Sequence, residues 1–175
     1  MEGEKEYISL NGRINRFTIY SADLSKCERS AVVLPAARRI EGTADELSYD
    51  HAEKPGRFLV MPDPALLMAK LVNSSFDPSV FKVFEKDERR LVLTSDIMPK
   101  DPETCESFEL ISFSSASGIR DELESLKPGK VVPRFSLDPD QYYEYARSLV
   151  DPLWVGESVY LFKNGDSIAL ARKIN

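Results

Sequence analysis

The stretch Glu157-Ser-Val-Tyr-Leu-Phe-Lys163, then Asn164-Gly165, then Asp166-Ser-Ile-Ala-Leu-Ala-Arg-Lys-Ile174 decides the fold class. Asn-Gly between two alternating segments favours a tight hairpin, because both central residues of a type I′ turn need positive φ. A two-residue loop at 164–165 sets Leu161 opposite Ile168 and Val159 opposite Leu170, gathering the aliphatic side chains on one side of the ribbon. On that side Lys163 meets Asp166 and Glu157 meets Arg172, an opposite-charge pair at each end. The reverse side sets Ser158, Tyr160 and Phe162 against Ala171, Ala169 and Ser167, large residues facing small ones as beneath a covering layer. An isolated ribbon of this kind is not stable in water. It anchors a larger sheet.

Working outward, residues 80–84 and 91–94 frame the charged tip Glu85-Lys-Asp-Glu-Arg-Arg90, a second hairpin. Residues 7–10 and 14–20 flank Asn11-Gly12 and suggest a third. There a two-residue loop opposes Leu10 to Arg13 and Ile8 to Asn15, so a longer turn or a bulge is expected. Residues 31–34 make a short buried strand that Pro35 ends, 58–61 another, and 108–113 a central one. Residues 131–135, interrupted by Pro133, belong at an edge.

Helix starts are marked twice by Asp-Pro. Asp63-Pro64 opens an apolar segment at 65–72, and Asp138-Pro139 opens one carrying Tyr142, Tyr145, Ala146 and Leu149 at helical spacing. Ile119, Leu123 and Leu126 line one side of a further short helix. Thr43-Ala-Asp-Glu46 matches a capping box and predicts a helical turn or two through Tyr49. Together these features predict an α+β fold: a mostly antiparallel sheet built from hairpins, partly covered by two or three short helices. One domain over residues 1–175 is expected, with a candidate flexible joint near 52–57 around Lys54-Pro55-Gly56.

The 175 residues are 42% hydrophobic and 30% charged, an ordinary globular composition, with a net charge of −6. That charge argues against sequence-independent binding to nucleic acid and favours basic partners. No apolar run approaches the ~20 residues of a membrane span, and the charged start Met1 to Glu6 is followed by no signal-peptide core. Two distant cysteines, Cys27 and Cys105, exclude a disulfide framework, so a cytoplasmic location is expected. One histidine and two distant cysteines leave no zinc spacing, and no cofactor fingerprint is present.

His51, the sole histidine, follows Asp50 and is the one candidate general base, although it sits in the most polar part of the chain. The loop at 114–118 runs from a strand into a helix N-terminus, where free N–H groups attract anions. Its contacts would be Ser115, Ser117 and Gly118, with Arg120 as a clamp; plain helix capping explains the serines equally. Cys27, between Lys26 and Arg29, has neighbours that lower a thiol pKa. Tyr142, Tyr143 and Trp154 bring interface-type aromatic area to the junction between the last helix and the tail hairpin. With no catalytic constellation in view, the leading expectation is a non-catalytic module that binds another, basic protein: an adaptor, regulator or inhibitor. The alternative is a small enzyme that takes a phosphorylated or carboxylated small molecule at 114–120, with His51 as its base.

Overall fold

A computed structural model describes residues 3–87 and 90–174. The described residues form two mixed sheets and four short α-helices. The first sheet holds β1 (Lys5–Leu10), β2 (Arg13–Ile19), β3 (Arg29–Leu34) and β4 (Arg38–Gly42) in the order β2-β1-β3-β4. The second holds β5 (Phe58–Pro62), β6 (Lys82–Lys86), β7 (Leu91–Ser95), β8 (Cys105–Ser115), β9 (Pro128–Pro133), β10 (Gly156–Asn164) and β11 (Ser167–Lys173). Its order is β6-β7-β5-β8-β11-β10-β9. Pairing is antiparallel throughout except between β1 and β3 and between β9 and β10. The α+β class and the antiparallel bias are as the sequence predicts.

The tail hairpin forms with its register two residues from expectation. Leu161 pairs with Leu170 and Asn164 with Ser167, so the turn is Gly165-Asp166. Of that pair only Gly165 has positive φ, at 58°, the glycine-first pattern of a type II′ turn. Asn164 is held as a strand residue by its side-chain amide, which donates to the Ala52 carbonyl at 3.2 Å. A slip of two residues preserves side-chain faces. Val159, Leu161, Ile168 and Leu170 are therefore buried on one side, as expected.

At Asn11-Gly12 both central residues have positive φ, so the turn is the tight two-residue kind and not a longer one. The expected bulge lies one step further on, between the pairs Ile8–Arg16 and Ser9–Ile14. It sets Tyr7 opposite Phe17 with ring centroids 4.8 Å apart.

Four helices follow: α1 (Pro64–Ala69), α2 (Val72–Ser75), α3 (Ile119–Leu126) and α4 (Pro139–Ser148). Asp63 and Asp138 cap α1 and α4 with their side chains, as read from the sequence. The expected single helix over 65–72 is split at Lys70, which takes the left-handed conformation. No helix forms after Thr43. Glu46 of the capping box pairs instead with Lys70, and along the same segment the Asn73 amide donates to Asp45 and Ser48 and the Tyr49 hydroxyl to the Phe76 carbonyl. The 52–57 segment is tied at both ends, by Ala52 N–H to Val83 and by Gly56 N–H to Thr94.

The second sheet buries both its faces. On one, α1, α2 and the first sheet cover Val60, Val83, Leu91 and Leu93. Further along that face, α3 and α4 cover Val159, Leu161, Ile168 and Leu170. Among the described residues no helix packs on the other face. Leu59, Phe84, Val92, Phe108, Phe162, Ala169 and Ala171 pack there on one another, because the sheet curls until β6 comes beside β10. Phe108 meets Phe162 at 5.0 Å and Phe84 meets Phe113 at 6.1 Å, both edge to face. The bulge in β8 opposite Leu170 and Ala171 keeps Phe108, Leu110 and Phe113 on this inner side despite their uneven spacing.

In the first sheet Glu4 and Glu6 are buried, with 1% and 4% exposure. Arg39 donates to both, Ser30 and the Lys26 N–H add bonds to Glu4, and Tyr20 adds one to Glu6. Burial pushes the Glu4 carboxyl up, but those donors outweigh it and hold the pKa at about 2. Stability from this group is therefore present above the ordinary carboxylate value and lost as pH falls towards 2. Arg39→Ala, which strands two buried carboxylates, is expected to cost about 3–5 kcal/mol. Glu4→Gln should flatten the loss of stability between pH 4.5 and 2 in urea titrations; an unchanged slope would exclude Glu4 as its source.

Glu85, half-buried at the β6 bulge, shows the opposite behaviour. Burial raises its pKa to about 7 against the pull of Arg90, and its Oε2 is buried with no hydrogen-bond partner. The fold favours its neutral form, so this contribution is full below the ordinary value and lost as pH rises through 7. Glu85→Gln is expected to stabilise the protein by about 1–3 kcal/mol at pH 8 and to change little at pH 4. Thermal unfolding at the two pH values checks both signs.

Candidate functional site

Two adjoining clefts share Arg90. The larger, about 860 Å³, lies between the sheets. The tips of the β1–β2 and β3–β4 hairpins overhang it, and the end of β5, the start of α1 and the start of β8 form its walls. Three cations reach it from distant parts of the chain: Arg90 just before β7, Arg134 just after β9, and Lys173 at the end of β11.

Arg134 lies across the inner side of the curled sheet. Its guanidinium carbon is 5.6 Å from the Phe108 ring centre and 5.9 Å from that of Tyr160. It donates to Glu106 Oε2, while Lys173 Nζ donates to Glu106 Oε1 at 2.7 Å. One carboxylate thus serves two cations. Arg90 donates to the Arg134 carbonyl, fixing the backbone there. The Arg134 Nε–H is buried and has no hydrogen-bond partner.

The other acids of the cleft are committed elsewhere. Glu103 pairs with Arg38 at 2.6 Å. Asp63 accepts the Ala65 N–H at 2.8 Å as the cap of α1, and burial pushes its pKa up. Cys105 is no nucleophile: burial raises its thiol to about 11.

The smaller cleft, about 740 Å³, is walled by Pro133, Phe135, Leu137, Pro139, Tyr142 and Tyr143, with Arg90 at its border. Ser136 donates to Asp87 at 2.9 Å, and through that bond the β6–β7 hairpin meets the segment after β9. Of that hairpin's charged tip, Glu88 and Arg89 lie outside the described residues. The Tyr142 and Tyr143 rings stand edge to face at 5.6 Å, and Tyr143 is 71% exposed.

Tyr142 and Tyr143, picked from the sequence, therefore stand together at a cleft. Trp154 lies outside it, half-buried against the core under α3 and α4, while its neighbours Leu153 and Val155 are exposed. His51 is exposed, bridges to Val83 and lines neither cleft. Ser115 and Ser117 are exposed and bonded to each other at 3.0 Å, and Gly118 N–H donates to the Ser115 carbonyl. Arg120 is exposed on α3, whose first turn also carries Asp121 and Glu122. Ser115 and Glu106 sit towards opposite ends of β8, roughly 30 Å apart at 3.3 Å per residue. For Cys27 the expectation is reversed: burial and then Glu4 push its pKa up, not down.

Arg90, Arg134, Lys173 and Glu106 escape a reading of the sequence. No local motif links them, and only the register that sets Lys173 beside Phe108 brings Lys173 close to Glu106. No group of His, Cys, Asp and Glu suited to a metal ion exists among the described residues. Nor is any described helix long and apolar enough to cross a membrane.

No family model matches the chain, and no curated protein matches it by sequence. Among solved structures, its fold is similar to that of a "putative methyltransferase from Porphyromonas gingivalis W83", with a TM-score of 0.68 at 13% identity. The likeness covers 99% of this chain and 46% of that one, so the chain spans just under half the length of that protein. This finding corrects the expectation of a non-catalytic adaptor, regulator or inhibitor: the fold is one found within a protein described as an enzyme.

Proposed function

We propose that the chain belongs to an enzyme of the methyl-transfer class, and that the larger cleft seats a phosphorylated or carboxylated substrate. The reaction class rests on the structural likeness alone. The sheets are mixed and mostly antiparallel, unlike the doubly wound parallel arrangement that binds nucleotide cofactors at a switch point. The part assigned to this chain is accordingly to hold the substrate.

One observation carries the choice of cleft. Arg90, Arg134 and Lys173 converge there, and two of them share a single carboxylate. A phosphate or carboxylate oxygen is the natural acceptor for such a cluster of cationic donors. At 114–118, by contrast, Ser115 and Ser117 share one hydroxyl–hydroxyl bond and Asp121 and Glu122 occupy the field of the helix N-terminus. The tyrosine-walled cleft beyond Arg90 offers room for the uncharged remainder of the molecule.

Calorimetric titration with inorganic phosphate at low ionic strength tests this reading. The protein should bind phosphate in a salt-sensitive manner, Arg134→Ala should weaken binding about tenfold or more, and Lys173→Ala several-fold. Ser117→Ala and Arg120→Ala should leave it unchanged. Equal binding by Arg134→Ala and the unaltered protein, with circular dichroism showing both folded, would remove the cleft from consideration.

A further inference from the structure

The smaller cleft has aromatic walls that the core does not use. On α4 it is Tyr145 that packs inward: its ring meets that of Phe135 at 5.9 Å and joins the cluster under the helix. Tyr142 and Tyr143 line the cleft instead. Successive residues on a helix point about 100° apart and do not ordinarily face each other. Here the two rings nevertheless stand edge to face at 5.6 Å, so Tyr143 lies over the helix surface at the opening while staying 71% exposed. Pro133, Leu137 and Pro139 complete the apolar walls around it.

The two clefts adjoin across one segment of chain. Arg134 lines the larger, and the residues on either side of it, Pro133 and Phe135, line the smaller. Arg90 borders both, its guanidinium donating to the Arg134 carbonyl. The smaller cleft carries Arg90 and Asp87, charges of opposite sign, and Asp87 accepts from Ser136. Among the described residues it has no surplus of cations, so it suits an uncharged group where its neighbour suits an anion. We infer that it seats a flat aromatic ring stacked on Tyr143, and that the substrate is an acid bearing such a ring a few bonds from its phosphate or carboxylate. The inference rests on the anion-binding reading of the larger cleft and deepens it by naming the other end of the molecule. A wall as open as Tyr143 cannot enclose an aliphatic group and removes little of it from water. It can stack on one face of a ring, a contact worth more than its area, and Arg90 stands where a guanidinium can meet the same ring.

Butyl phosphate, 4-phenylbutyl phosphate and 4-cyclohexylbutyl phosphate share one charge and one chain and differ in the ring. Calorimetry at pH 8 and low ionic strength should show the phenyl ester binding the unaltered protein about fivefold or more tightly than butyl phosphate. Tyr143→Leu keeps apolar bulk and removes the flat face. It should lower the ratio of phenyl to cyclohexyl affinity about threefold or more, whereas Tyr143→Phe should keep that ratio. Comparing the ratio between variants cancels the greater hydrophobicity of the cyclohexyl ring, and the exposure of Tyr143 makes both substitutions mild for folding. Inorganic phosphate should bind all three proteins alike.

A phenyl ester no tighter than butyl phosphate, or a ratio that Tyr143→Leu leaves unchanged, overturns the ring site; inorganic phosphate that still binds then leaves the anion site standing. Should inorganic phosphate not bind while the ratio responds to Tyr143→Leu, the anion reading falls and the ring site stays. If no probe binds, both fall together.

Discussion

The structure depends on the seven-stranded sheet burying both of its faces. A sheet with one apolar face needs a single covering layer; this one carries Val and Leu outward and Phe inward on alternate residues of the same strands. Helices and the first sheet cover the outward side. Among the described residues no helix covers the inward side, and the sheet bends until its own aromatic residues cover one another. That curl brings the β6–β7 hairpin to the segment after β9, and so sets Arg90 beside Arg134. The clefts are consequences of the curl, and a change that flattened the sheet would dismantle them before it unfolded the strands.

Local signals with a direct steric cause are legible in the sequence. Asp63-Pro64 and Asp138-Pro139 start helices because a carboxylate can cap free N–H groups and proline loses no bond there. Alternation in residues 157–174 assigns side chains to faces correctly even though the register is off by two, since face depends only on parity. The capping box at Thr43 fails for an equally physical reason: Glu46 and Tyr49 find partners on Lys70 and the Phe76 carbonyl that a single sequence does not reveal. Strand β4 is invisible in the sequence because Arg38, Arg39 and Glu41 show no apolar periodicity, and its ladder is supplied by β3. The cations of the cleft are illegible for a further reason. Arg90, Arg134 and Lys173 are separated by about forty residues each, and only tertiary pairing makes them neighbours.

Charge distribution adds a second layer. A net charge of −6 describes the whole surface and says little about any one concavity. The expectation of a basic partner follows from that sum, whereas the cleft between the sheets gathers cations whose nearest acid is already shared. Global composition and local field point to opposite ligands. The local field governs a buried contact, because screening at ~10 Å in ordinary salt erases most of the distant surface charge.

The two arginine–carboxylate centres make the distinction between architecture and site concrete. Around Glu4 and Glu6, all three nitrogens of Arg39 donate to carboxylates, and Ser30, Tyr20 and the Lys26 N–H take up further acceptor sites. That network is closed around its own buried carboxylates and contributes to stability. Around Glu106 the counts do not close. The buried Arg134 Nε–H has no partner, and Lys173 and Glu106, which line the larger cleft, are each more than a third exposed. An unpaired buried donor costs about 1–3 kcal/mol unless something accepts from it. The two centres thus differ in kind: Arg39 is bonded to carboxylates through all three of its nitrogens, whereas Arg134 shares its one carboxylate with Lys173 at the border of a cleft.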